Sequence, residues 1–413
     1  MINKRKIAAA ISTFALAFNS VVPLAWATTN LTDTGNGADS TNILTQNVNT
    51  TTSVVQSNTA NITNDISVNT ESGDNTASKN TGGNTTISTG DSVAVVNLLT
   101  AANVNKALVT GCETCNSGDT NLATSGNGAD SQNTTTLNSV NTNSVFQNND
   151  ATLTNNVNAH LESGDNTASK NTGGTAGGNV TIMTGDSLGQ VNITNRANAN
   201  LAQIGTTGGT AGGTINLADT GNGADSNNIV TLNHNLTNMI VQGNAAWLHN
   251  NVDIYAESGD NTASKNTGNN TTIDTGMSSV TTNVDNAVNF NSAAVDCGCL
   301  TNLNAKIGEN GSDSHSTVTS NLTGGLELFQ GGGEESGNAL HLTNNLSPFA
   351  QSGSNGAGKN TGPVVDPVYV ATGNSGSLTN VTNRANENLF GTTSLPGGFD
   401  LAFNFDFGSL FGF

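Results

Sequence analysis

The chain has 413 residues, with 11 Lys and Arg against 30 Asp and Glu, a formal net charge of −19. Only 4% of it is aromatic and 34% hydrophobic, much of the latter Ala and Val, which excludes a thick globular core. So acidic a balance also excludes nucleic acid as a partner, because phosphates need a basic surface.

Residues 1–27 read as an export leader: Lys4, Arg5 and Lys6, an apolar run from Ile7 to Phe18, then the small-residue site Ala25-Trp26-Ala27. The mature chain is expected to start at Thr28. The apolar run is short for a membrane span, and no later stretch reaches about eighteen consecutive apolar residues. The expectation is a secreted or cell-surface protein with no transmembrane span in its mature part. The leader's three charges are all basic, so 11 less three leaves eight Lys and Arg against 30 acidic residues.

The body is an array. The string ESGDNTASKNTG begins unchanged at Glu71, Glu162 and Glu257 and returns as QSGSNGAGKNTG from Gln351. GNGADS begins at Gly35, Gly126 and Gly221 and survives as ENGSDS from Glu309. Both advance by about ninety residues, which divides the chain into units at 28–119, 120–214, 215–300 and 301–392, followed by a tail at 393–413. Repetition of this kind points to units that bury their apolar face by stacking on neighbours. Cys112 and Cys115 close the first unit and Cys297 and Cys299 the third, whereas TNRANAN around Arg196 and TNRANEN around Arg384 close the second and fourth. A two-unit block has been duplicated.

Enrichment in Asn, Thr, Ser and Gly is also what disorder looks like. Against that, Asn58, Ala60, Ile62, Asn64, Ile66 and Val68 sit two apart, and disordered segments have no reason to keep that period. Corners follow at Ser72-Gly73-Asp74, Gly82-Gly83 and Thr89-Gly90-Asp91. Corner spacings of about sixteen to twenty-two residues suit two strands and two turns, so each unit is expected to hold four or five flat coils of an elongated all-β solenoid. Its handedness is open.

The pattern Gln, any, Asn, any, Ala, three residues, Asn occurs as Gln56, Asn58, Ala60, Asn64 and recurs from Gln147 and Gln242. Stacked Asn can pass side-chain amide hydrogen bonds from coil to coil, which nominates Asn58, Asn64, Asn149, Asn155, Asn244 and Asn250 as a ladder. The alternative is that Asn supplies left-handed turn residues. The Asn-x-Ala core with its following amide, set in strand-turn repeats behind a leader, resembles the curlin repeats of secreted surface fibres. That resemblance implies an extracellular, self-associating β-solenoid.

Four Cys in an exported chain make disulfides the default. With four or five coils per unit the two pairs would lie about eight coils and roughly 40 Å apart, so local or intermolecular pairing is expected, and neither a four-Cys zinc site nor a thioredoxin-type site fits. GNGADS contains the G-x-G-x-D core of calcium-binding nonapeptides, which makes Asp39, Asp130 and Asp225 weak calcium ligands beside a turn reading; no other metal or cofactor is implied. Lys79, Lys170, Lys265 and Lys359 recur at one place, where a cation relieves repulsion among Glu71, Asp74 and their repeats. His160, His234, His249, His315 and His341 share no ligand spacing, and no catalytic constellation stands out, so an enzyme is not expected. Sequons such as Asn61-Ile62-Thr63 arise by chance in so Asn- and Thr-rich a chain.

In the tail Phe399, Leu401, Phe403, Phe405 and Phe407 alternate, and Leu410, Phe411 and Phe413 follow. Such a strand can cap the last coil, add to another molecule, or serve as an outer-membrane targeting signal. The expected role is a building block of an extracellular fibre, sheath or adhesive layer whose main partner is itself. The alternative is a monomeric adhesin or stalk contacting cell-surface components or glycans; calcium- or ice-binding solenoids are lesser ones.

Overall fold

In the computed structural model the alternating segments close into strands, and among the described residues every regular element is a β-strand. The structure describes residues 5–15, 20–23, 29–110, 119–173, 177–205, 214–296, 302–331, 337–361 and 368–391. The four cysteines and the Phe399–Phe413 tail lie outside them.

Two strands, β1 (Arg5–Ala15) and β2 (Ser20–Pro23), precede the first unit. That unit forms β3 (Thr29–Thr34), β4 (Thr41–Gly73), β5 (Thr76–Ser78), β6 (Thr85–Ser88) and β7 (Ser92–Thr110). The second unit repeats the order as β8 (Thr120–Ser125), β9 (Gln132–Gly164), β10 (Thr167–Ser169), β11 (Val180–Met183) and β12 (Ser187–Gly205). The third gives β13 (Thr214–Thr220), β14 (Asn227–Gly259), β15 (Thr262–Ser264), β16 (Thr271–Asp274) and β17 (Ser278–Asp296). In the fourth the long strand is divided: β18 (Asn302–Gly308), β19 (His315–Gln330), β20 (Asn338–Gly353), β21 (Gly356–Gly358), β22 (Tyr369–Ala371) and β23 (Ser375–Phe390).

Equivalent strands of successive units pair in parallel and in register, which makes five sheets, each stacked through all four units. The protein is an elongated all-β solenoid of four homologous units. The coil count differs from the expectation. Asn64 stacks on Asn155, 91 residues on, so each unit is one coil and not four or five. The glycine corners are real turns, but they fold the chain within a coil. Between them β4 runs 33 residues unbroken, about 110 Å at strand rise. Four coils at about 4.8 Å are far thinner than this, so the long dimension follows the strands.

Each coil is a flattened two-layer loop. The second half of β4 faces β7, which runs back over it: Thr70 and Ser92 hydroxyls meet at 2.7 Å and Asn58 Nδ2 donates to Asn105 Oδ1 at 2.7 Å. The first half faces the β3 sheet through the cluster Leu122, Leu137, Leu217, Val230 and Leu232. Along β9 inward positions alternate strictly with outward ones from end to end, and the inward ones are Leu, Val, Ala, Asn, Ser, Thr and Gln. A core one side chain deep suits a sequence with few aromatics. Length changes are absorbed at corners: the stacking offset is 91 residues at Asn75 and Asn166 but 95 at Asn84 and Asn179, because the second unit carries extra residues between β10 and β11.

Two further points bear on the sequence reading. β7 and β17, which lead into the two Cys pairs, are separated only by β12. Their ends are thus two coils apart, about 10 Å and not 40 Å. The segment read as a leader lies along the outer edge of β7, with Arg5 beside Ser92 through Ala15 beside Ala102, and Ser20 to Pro23 beside Ala107 to Thr110.

Candidate functional site

The chemistry of this molecule is concentrated in its stacked columns and in the two ends of the stack. The nominated Asn residues form two columns. Asn64 Nδ2 donates to Asn155 Oδ1 at 2.8 Å, Asn155 to Asn250 at 2.8 Å and Asn250 to Asn344 at 2.7 Å. Asn58 donates to Asn149 at 3.2 Å, and Asn149 to Asn244 at 3.0 Å. Identical residues meet because the register is parallel and unshifted, the geometry in which amide ladders form. The columns are also tied across the sandwich: Asn155 Nδ2 reaches Asn195 Oδ1 at 3.0 Å and Asn195 donates to Asn286 at 2.8 Å. The buried amides therefore form a two-dimensional network, which removes the desolvation cost of leaving them unpaired.

The Gln of the same pattern also stack, on the wall of Asn58, whereas the Asn column of the opposite wall escaped the sequence reading. Asn105, Asn200, Asn291 and Asn388 form another column with each bond at 2.9 Å, and Gln56, Gln147, Gln242 and Gln330 one more at 2.7 to 2.8 Å. The signal of the Asn105 column was present in the equivalent places of NVN, NAN, NFN and NEN before each unit's end. Both proposed roles of Asn occur, at different positions. Asn103, Asn198, Asn289 and Asn386 take φ of +56° to +63° in mid-strand. In β12 this left-handed residue moves the inward set from Val191, Ile193, Asn195 and Ala197 to Asn200, Ala202 and Ile204. Asn tolerates this backbone, and the side chain of Asn198 donates to Ala245 O on the facing wall.

The aspartates of GNGADS are also left-handed: Asp39, Asp130 and Asp225 have φ of +57° to +58°, and each N–H donates to a carbonyl of the next coil. They stand one per coil as turn residues. Among the described residues no three His, Cys, Asp or Glu are grouped to hold a metal. Lys79, Lys170, Lys265 and Lys359 are exposed with φ of +56° to +60°. Among the described residues none of the four is ion-paired to a carboxylate, so their shared feature is the turn conformation and not a salt bridge. Among the described residues Arg196 pairs with Asp285 at 2.5 Å between the second and third coils, and Lys306 with Glu309 at 3.6 Å within the fourth.

The carboxylates of the repeated string are stacked. Glu71, Glu162 and Glu257 lie in register, and Gln351 completes the column on the fourth coil. Burial, a hydrogen bond with Asp165 and the charges of neighbouring carboxylates push Glu162 up to about 7. The Asp74 hydrogen bond and charge likewise raise Glu71. The Tyr255 hydroxyl donates to Glu257 Oε2, and Gln351 Nε2 donates to Glu257 Oε1 at 3.2 Å. Beside them the rings of His160, Tyr255 and Phe349 stack at 5.0 and 5.2 Å, and Trp247 stacks on His341 at 4.7 Å, on the outward face. His234 is buried, which holds its pKa below the usual range.

The ends of the stack are open. On the first coil β3, β4, β5 and β6 each pair on one side only, and β7 carries β1 and β2; on the fourth coil β18 to β23 each pair on one side only. Apart from the β7 edge, which β1 and β2 cover, each end thus presents a row of backbone N–H and C=O groups without a strand partner among the described residues, the arrangement that invites another strand. No described helix is long and apolar enough to cross a membrane. Comparison with protein families, curated proteins and solved structures gave no match to this chain.

Proposed function

We propose that this chain is a self-stacking structural subunit of an extracellular fibre, sheath or adhesive surface layer. The observation that carries the reading is the pair of ends: all the sheets stop at the fourth coil with parallel, in-register edges that the first coil of a second copy would extend once removal of residues 1–27 frees its β7 edge from β1 and β2. The basic, apolar leader supports export, and the Asn-x-Ala pattern that supplies the amide columns resembles the curlin repeats of secreted surface fibres. The ladder makes such an assembly stiff, because each added coil continues both backbone and amide hydrogen bonds.

Electron microscopy and fibre diffraction of the purified exported chain test this. Unbranched filaments with a meridional reflection near 4.8 Å are expected. A monodisperse monomer at all concentrations and salt conditions overturns the reading. A second reading, adhesion to glycans by a monomer, is favoured by the exposed ring stacks of Trp247 with His341 and Tyr255 with Phe349. Glycan binding that is abolished by Trp247→Ala without any filament formation would support it instead.

A further inference from the structure

The fourth copy of the repeated string is the only one without its two carboxylates. Glu71, Glu162 and Glu257 are followed in the column by Gln351, and Asp74, Asp165 and Asp260 by Ser354, which keeps the same left-handed backbone at φ +58°. Within the chain this change relieves one contact, the one with Glu257, which Gln351 Nε2 meets as a donor. The other side of Gln351 and Ser354 faces the open end.

We propose that copies join head to tail, the fourth coil of one on the first coil of the next in continuous register, with Gln351 against the partner's Glu71 and Ser354 against its Asp74. This rests on the self-stacking reading above and names its contact. In this arrangement neutral side chains, and not carboxylates, meet Glu71 and Asp74 at the junction; Gln351 Nε2 is given to Glu257 and, at 2.7 Å, to Ser354 Oγ, which leaves the Ser354 hydroxyl proton as the donor to the partner. Joining first coil to first coil through a two-fold axis would set the paired strands antiparallel, so the columns of the two copies would not continue into each other and neither Gln351 nor Ser354 would meet Glu71 and Asp74. The amide column beside them has the matching polarity. Asn75 donates to Asn166, Asn166 to Asn261 and Asn261 to Asn355, each at 2.9 to 3.0 Å. The column therefore ends with Asn355 Nδ2, which has no acceptor among the described residues. It starts with the Asn75 carbonyl, so a head-to-tail neighbour presents the missing acceptor and a neighbour in the opposite sense does not. The degraded fourth copy is thus the coil adapted to be outermost, and the partner it fits is a second copy of this chain.

The test is filament growth from seeds by the exported chain and three variants: Q351E/S354D, E71Q/D74S, and the fourfold combination. Q351E/S354D is expected to lower the elongation rate at neutral pH at least tenfold, and the fourfold variant to recover most of it. E71Q/D74S alone is expected to grow at least as fast as the parent chain. A folding fault caused by the added carboxylate of Q351E beside Glu257 would persist in the fourfold variant, so recovery there isolates the junction. Equal growth of the parent and Q351E/S354D, or failure of the fourfold variant to recover, overturns the head-to-tail contact while leaving self-stacking in place. Absence of filaments from the parent chain overturns both.

Discussion

Asp219 brings a carboxylate into a wall where the neighbouring coils have Thr124 and Ile307. Its Oδ1 accepts from Asn222 Nδ2 at 2.5 Å, but its Oδ2 is buried with no partner among the described residues. Burial pushes its pKa up to about 6, only partly opposed by Asn222. With the folded value above the unfolded one, the fold is most stable below the ordinary carboxyl range and loses stability as pH rises through about 6. Asp219→Thr is therefore expected to raise unfolding free energy at pH 8 by about 1–3 kcal/mol, the cost of a buried unpaired acceptor, and to change little at pH 3. The Asn222 amide keeps an acceptor in the variant, since it also donates to Asn228 at 2.9 Å, as Asn127 does to Asn133 in the second coil. Chemical denaturation at the two pH values checks it; equal midpoints for parent and variant at pH 8 would refute it. Nothing in the sequence marked Asp219, because its burial depends on which strand faces it. The columns at Asn58 and Asn64 were legible because both stacking partners sit in recognisable copies of one pattern.

At the scale of elements, the approach of successive corners sets how closely coils can stack. A Cβ placed on Gly164 would stand 1.8 Å from Gly259 O, and one on Gly73 would stand 1.8 Å from Gly164 O. The glycine before each left-handed Asp is thus needed by the coil beside it, not by its own turn alone. Gly164→Ala should push apart the corner between the second and third coils, with loss of cooperative unfolding or a drop of about 3 kcal/mol in stability. An unchanged melting curve would show that this corner yields freely. The strands themselves were readable from their period-two alternation, and the turns from their Gly and Asp. Coil length was not, for a physical reason: local spacing says where the chain bends, whereas stacking is decided by whichever distant segment presents the same side chains in the same order. The unchanged string at Glu71, Glu162 and Glu257 was itself the coil length.

For the whole molecule, the ladders between strands of successive coils join residues about ninety apart, as Asn64 joins Asn155 and Asn155 joins Asn250. Loops of that size must close before any ladder contact repays them, and folding slows with the sequence separation of contacts. An isolated chain has no ready surface on which to lay its first coil. The open edge of a chain that has already folded supplies one, and each newly arrived coil can then form against it without closing its own loop first. Conversion should accordingly show a long quiescent period that fragments of mature filament abolish, and scattering traces with and without such fragments would read it. If added fragments leave the delay unchanged, a molecule's own coils must template one another faster than a neighbour can. Growth would then be limited by the supply of finished subunits and not by the arrival of unfolded ones.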